Sequence, residues 1–312
     1  MNAIEKYEGL VAAPFTPMDS RGEINLELIP EYYSLLEKNG ITGAFINGST
    51  GEGPSLTQKE KHLHAAEWSK CLKSSGKVRV INLVGGTSYK ECIDNAIMSR
   101  ELGLSAIAVL GPYYYKPVSD GQLAEFIAKI GEAVPELPVY YYHIPVLTGV
   151  NIAMLGFLKR ISGMLPNFTG IKFTHEDCMD FISCLNYMDG RFDLLWGRDE
   201  CLLSALVIGC KGAVGSTYNY AAPLYHSIIE SFKNNNMAEA VRLQLKSVEM
   251  ISLLGKYGGI ATGKAFMKYI GMDCGKFRSP VINMTDSRFK EFEKDVKLLG
   301  IDELFSKKQY LK

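Results

Sequence analysis

Short apolar runs rich in β-branched and aromatic residues recur along the chain. Each stops at Gly, Pro, Ser, Thr or a polar side chain. They are Gly9–Pro17, Thr42–Asn47, Val78–Val84, Ser105–Leu110, Pro138–Tyr142, Phe168–Thr174, Phe192–Trp196 and Gly212–Ser216. Being apolar on both faces, they read as parallel strands covered on both sides. Segments of helical period lie between them. Ile24, Leu28, Tyr32, Leu35 and Leu36 stand three and four apart and predict a helix over 24–39. Segment 57–73 opens with Thr57 and Glu60, the two ends of a capping box. Asn151, Asp177 and Asp199 are candidate caps for the helices after strands five, six and seven. Strand and helix alternate eight times in about 235 residues. This predicts an α/β fold, a closed (β/α)8 TIM barrel over 1–235, with 220–235 as its last helix. An open doubly wound sheet is the alternative, but the turn after the first strand, Pro14-Phe-Thr-Pro17, is no glycine-rich dinucleotide loop. Residues 236–312 read as helices alone, at 237–254, 262–271 and 286–305. They form a C-terminal helical extension packed on the barrel as part of one structural unit.

Charge narrows the partners. The chain has 34 basic and 34 acidic side chains and a net charge of zero. Nucleic-acid binders normally show a basic excess, and polybasic membrane anchors show a local one, so neither partner is expected. No stretch approaches the roughly 18 uncharged apolar residues of a membrane helix. The opening residues do not read as a secretory signal, and the expected location is the cytoplasm. Seven cysteines with no Cys-x-x-Cys pair read as reduced thiols, mostly small buried hydrophobes. Three motifs carry no site. Gly258–Ala265 nearly spells a phosphate loop but lacks the closing hydroxyl and follows a helix, so it reads as a helix-to-helix turn. His62 and His64 are two apart within a helical stretch and read as a surface pair, not a metal site. His175 and Cys178 share a loop without further ligands at metal spacing.

The chemistry of a barrel stands at the carboxyl ends of its strands. Strand two ends in Gly48-Ser-Thr-Gly-Glu52, where two hydroxyls and turn N–H groups can cradle a carboxylate. Strand four ends in Tyr113-Tyr-Tyr115 and strand five in Tyr140-Tyr-Tyr142-His143; a phenol in a pocket can relay protons. Strand six carries Lys172 inside an apolar run, where desolvation lowers an ammonium's pKa and frees a neutral amine to attack a carbonyl. A lysine snorkelling to the rim is the alternative. Strand seven ends in Gly197-Arg-Asp-Glu200, acids suited to a helix start or to sugar hydroxyls, and strand eight in Gly215-Ser-Thr-Tyr-Asn219.

As a set, these strings resemble the pyruvate-dependent class I aldolases of the dihydrodipicolinate synthase and N-acetylneuraminate lyase family. The resemblance runs from about Gly9 to Tyr220, and the helical tail suits it. It implies Lys172 as the Schiff-base lysine, Tyr142 as the proton relay, and Ser49 and Thr50 as the holders of the pyruvyl carboxylate. It implies contacts from Thr174, Gly197, Asp199, Glu200 and Ser216 to a sugar's hydroxyl chain. Tyr114 matches a tyrosine lent to the neighbouring subunit's site, which implies a homotetramer built from dimers. No metal or organic cofactor is implied. Within the family, the synthase branch carries an arginine five residues after the relay tyrosine. Here that residue is Leu147, which favours the branch that cleaves the sialic acid N-acetylneuraminate to N-acetylmannosamine and pyruvate. His143 departs from the asparagine common at its position, and Arg198 intrudes beside the paired acids. Another pyruvate-dependent aldolase is the alternative, and a non-catalytic keto-acid-binding barrel a remote one.

Overall fold

A computed structural model describes residues 4–307. Eight parallel strands close on themselves in sequence order, β1 (Gly9–Ala12), β2 (Gly43–Ile46), β3 (Arg79–Leu83), β4 (Ala106–Leu110), β5 (Val139–His143), β6 (Phe168–Phe173), β7 (Asp193–Trp196) and β8 (Gly212–Gly215). β8 returns to pair with β1. The helices of the outer layer are α1 (Ile29–Lys38), α2 (Gln58–Ser75), α3 (Tyr89–Glu101), α4 (Asp120–Gly131), the single turn α5 (Pro145–Thr148), α6 (Met154–Met164), α7 (Cys178–Asn186), α8 (Leu202–Val207) and α9 (Tyr218–Lys233). Three more follow, α10 (Met237–Tyr257), α11 (Ala261–Tyr269) and α12 (Asp286–Leu298). The open-sheet alternative is excluded by closure of the barrel.

Period two along each strand sorts side chains into two cores. Val11, Phe45, Leu83, Tyr140, Tyr142, Leu195 and Val214 fill the barrel interior. Leu10, Ile46, Tyr141, Phe173, Trp196 and their neighbours face the helices. Each fully buried large side chain contributes about 1.5–3 kcal/mol relative to exposure. The lower end of the barrel is sealed by Asp193, whose carboxylate accepts from the Tyr7 N–H (3.0 Å) and the Tyr140 hydroxyl (2.8 Å). Arg79 stacks over the Tyr7 ring at 3.6 Å.

Several local expectations change. The first strand ends at Ala12, because Pro14 has no N–H for the ladder, and Met18 and Ile24 instead bridge an antiparallel loop. The helix expected over 24–39 is a short turn at Leu26–Leu28 followed by α1, which starts around Pro30. The capping box forms as expected, with Thr57 and Glu60 bonded reciprocally at the start of α2, and Asp177 caps α7. Asn151 does not cap α6. Asp180, from α7, takes that place by accepting from the Met154 and Leu155 N–H groups. Asp199 is no cap either; its carboxylate turns to Thr217. The last helix stops at Leu298 ahead of Gly300, whose φ is 64°. His64 is not a surface residue: it is fully buried and receives a hydrogen bond from Trp68. The Gly258–Gly259 turn between α10 and α11 stands as expected, both glycines having positive φ. Of the seven cysteines, Cys92, Cys184, Cys210 and Cys274 are buried, as expected of small hydrophobes.

Candidate active site

The site begins with register. Tyr142 of β5 lies opposite Lys172 of β6, and Lys172 opposite Leu195 of β7. All three are one step from the strands' carboxyl ends and point inward. Lys172 is buried, and among the described residues no carboxylate pairs with it. Its Nζ sits 4.0 Å from the centroid of the Phe45 ring and 4.0 Å from that of Tyr142. Two ring faces thus take the place of water around the cation. Burial wins over them and over the pull of Asp199, and lowers the Lys172 pKa to about 7. Near neutral pH a substantial fraction of this lysine is an uncharged nucleophile.

Tyr142 is also buried. The Ser49 and Thr174 hydroxyls flank its phenol and favour the ionised form, but burial holds it up at about 12. It is therefore a phenol, not a phenolate, at neutral pH. Asp199 stands in the same enclosure. Burial raises its carboxyl to about 6, against Thr217, which donates from both its N–H (3.0 Å) and its hydroxyl (2.6 Å). The Tyr225 hydroxyl lies 2.7 Å behind the Thr217 hydroxyl. Gln244 of α10 reaches in to donate to the Asp199 carbonyl (3.2 Å) and to accept from the Leu203 N–H (2.8 Å).

Two glycines are required by close approach. A Cβ on Gly197 would lie 2.0 Å from the Thr174 hydroxyl, and one on Gly215 would lie 2.0 Å from an Asp199 oxygen. Glu200 is half-buried and salt-bridged to Arg198 (3.0 Å), which also pairs with Glu176 on the loop after β6. Ser216 is half-buried at the end of β8, and its carbonyl accepts from Asn219 (2.7 Å).

The turn after β2 carries Ser49, half-buried, and Thr50, buried. Its flanks, Asn47 (φ 56°) and Glu52 (φ 59°), are both left-handed. For a glutamate that backbone costs of order 1–3 kcal/mol and persists only where neighbours over-determine it. Trp68 donates to His64 Nε2 (3.0 Å), so the ring proton is on Nδ1 and is donated to the Asn47 side-chain oxygen (2.8 Å). Asn47 in turn donates to Asn82 (2.8 Å). The two histidines form no metal pair: His64 supports the turn from behind, and His62 bonds to the Asn95 side chain (2.9 Å).

The structure brings Lys172, Tyr142, Ser49, Thr174, Gly197 and Asp199 into one enclosure at the barrel mouth. Glu200 and Ser216 stand on the adjoining strand ends. Tyr114 does not join them; with Tyr113 and Tyr115 it projects from the loop after β4, and it is 75% exposed. Sequence reasoning missed Phe45 and Gln244, which touch Lys172 and Asp199 from other elements without a local motif, and Thr217, quoted within the strand-eight string but given no role, with Tyr225 behind it. Two clefts lie elsewhere. One of about 1220 Å³ runs between the start of α2 and the C-terminal segment, and one of about 750 Å³ opens at the barrel floor by Tyr7 and Arg79. Neither is lined by an expected site residue. Among the described residues no cluster of three or more His, Cys, Asp or Glu side chains is placed to hold a metal ion.

Fold and family place the chain in a class of barrel lyases, the class I aldolases. The model of the dihydrodipicolinate synthetase family matches residues 6–299, and the chain belongs to that family. It is 39% identical over 300 residues to N-acetylneuraminate lyase of Rattus norvegicus, covering 95% of this chain and 93% of that one. It is 40% identical over 282 residues to N-acetylneuraminate lyase of Homo sapiens, covering 89% and 88%. The solved N-acetylneuraminate lyase (sialic acid aldolase) of Aliivibrio salmonicida superposes with a TM-score of 0.92 at 33% identity, over 95% of this chain and 98% of that one.

Proposed function

We propose that this chain catalyses the reversible aldol cleavage of N-acetylneuraminate to N-acetylmannosamine and pyruvate. The observation that carries the reading is Lys172: a buried amine with a pKa lowered to about 7, held between two ring faces at the barrel mouth. The lyases to which the chain is similar support the choice of substrate. So does Leu147, exposed on α5 where an arginine would favour a second substrate carboxylate.

The geometry supports the following steps. Neutral Lys172 Nζ attacks the C2 ketone of the open-chain sugar, and loss of water leaves a protonated imine. The Phe45 and Tyr142 ring faces stabilise that cation. Its C=N bond accepts the electron pair of the C3–C4 bond as the C4 hydroxyl gives up its proton and becomes the aldehyde of N-acetylmannosamine. Tyr142 is protonated at rest, so it can take that proton only while handing its own on, most directly to the substrate carboxylate. Protonation of the enamine at C3 and hydrolysis of the imine release pyruvate and restore the amine. Ser49, Thr50 and the turn N–H groups hold the carboxylate. Thr174, Gly197, Asp199, Glu200 and Ser216 line the path of the polyhydroxy chain. The lysine performs the covalent work, and no step calls on a metal or organic cofactor.

Assembly belongs to the same proposal. Tyr113, Tyr114, Tyr115, Val118, Val146 and Leu147 are all exposed around the loops after β4 and β5. Covered by a second copy, this rim would offer Tyr114 to the neighbour's site within a homotetramer; a monomeric mass by light scattering would overturn it.

The deciding experiment measures pyruvate release from N-acetylneuraminate, beside turnover of pyruvate with aspartate semialdehyde. Release of pyruvate is expected. Pyruvate with borohydride should leave a stable adduct on Lys172, absent in Lys172→Ala, which should lose about a thousandfold or more in rate. Faster turnover of the semialdehyde pair, or an adduct that survives Lys172→Ala, overturns the reading.

A further inference from the structure

The turn after β2 is held from the far side by the C-terminal segment. Glu52 closes the Gly48–Glu52 turn in a backbone conformation that disfavours a residue with a side chain (φ 59°). Gly53 follows so closely that a Cβ there would meet the Asn47 carbonyl at 2.0 Å, so the turn folds tightly on itself. The Glu52 carboxylate leaves the barrel altogether. Its Oε1 accepts from Lys264 Nζ of α11 (2.7 Å), and its Oε2 accepts from the backbone N–H of Arg278 (2.9 Å). Lys264 donates further to the Lys276 carbonyl (3.0 Å). The Glu52 and Lys264 side chains are 3% and 2% exposed.

An ion pair this deep is a poor source of stability, because stripping water from two charges offsets most of their attraction. What such a pair does supply is a fixed position, since both charges must stay where they meet. Ser49 and Thr50 stand three and two places before Glu52 in the same turn.

We propose that Glu52, clamped by Lys264 and the Arg278 N–H, is a positioning residue for the keto-acid carboxylate, so that the C-terminal segment sets the protein's affinity for pyruvate. This rests on the assignment of Ser49 and Thr50 to that carboxylate. Glu52 touches no reacting atom; it acts through the turn.

The test is the double variant Glu52→Gly/Lys264→Met in the full chain. It removes both charges together, so neither is left buried alone. It also places at position 52 the residue that φ 59° favours, so backbone strain is relieved, not added. In the synthetic direction, KM for pyruvate should rise about tenfold, with kcat and KM for N-acetylmannosamine changed less than about threefold. The acid limb of the pH profile should stay in place, because Lys172 is untouched. A folded double variant whose KM for pyruvate rises less than about threefold overturns the proposal, as does a loss confined to kcat. If the double variant does not fold, Glu52→Gln is measured instead. It keeps an acceptor oxygen for Lys264 but turns an NH2 donor toward the Arg278 N–H, so the clamp is broken on that side, and the same threefold threshold in KM for pyruvate decides. Failure of the aldolase reading shows separately, as a parent protein that forms no borohydride-trapped pyruvate adduct.

Discussion

The Lys172 pKa, lowered to about 7, makes its charge pH-dependent near neutrality, so the rate should report it. The amine gains population as pH rises through about 7, and kcat/KM should climb with it. The negative charge of Asp199 opposes the loss of that proton. Asp199→Asn should therefore shift the acid limb to lower pH, as read from a pH–rate profile; a limb that stays or moves up would contradict the coupling. Phe45 offers a second test. Phe45→Leu keeps an apolar side chain but removes a ring face from the imine cation, and about tenfold in rate should go with it. Gly215→Ala would drive a methyl to 2.0 Å from an Asp199 carboxylate oxygen. Lys172 was legible in the sequence because a lysine inside an apolar strand has few places to point. Phe45 was not, because nothing in an apolar run distinguishes the one ring that faces an amine.

At the scale of the element, local chemistry spoke most clearly where both partners are near in sequence. The Thr57–Glu60 capping box is one turn long, and it forms as written. Thr57→Ala should cost about 1 kcal/mol of stability, measured by denaturant unfolding, with catalytic constants unchanged. α6 shows the opposite case. Asn151 looked like its cap, yet Asp180 from the next helix does the work, because any carboxylate that tertiary packing brings to the free N–H groups satisfies them. Asp199 was open to the same misreading. An acid at a helix start caps it only when no better donor is near, and Thr217 on the loop after β8 offers two.

For the whole molecule, the two ends of the barrel are built differently. The mouth gathers hydroxyls around an amine, whereas the floor is closed by Asp193 between Tyr7 and Tyr140. Burial raises the Asp193 carboxyl from 3.8 to about 6. The folded state then holds a proton that the unfolded chain has released. The stabilisation is full below pH 3.8 and is lost as pH rises through about 6. Asp193→Asn removes this dependence, so the parent's stability relative to the variant should fall between pH 4 and pH 6. Urea midpoints at the two pH values check it, and a constant difference would refute it. The C-terminal segment belongs to this scale too, since Gln244, Lys264 and Arg278 reach residues of the strand-end loops from beyond the eighth unit.

The sequence by itself determined the barrel and singled out the lysine buried in its sixth strand. Strand–helix alternation is a period visible in one dimension, and an amine buried in an apolar run is conspicuous by its desolvation cost alone. Tertiary structure alone decided the contacts that shape the site. The two ring faces, the Thr217 bonds to Asp199, and the buried Glu52–Lys264 pair join residues from 18 to 212 positions apart. Such contacts depend on how a closed sheet brings distant strand ends together, and no local pattern encodes them.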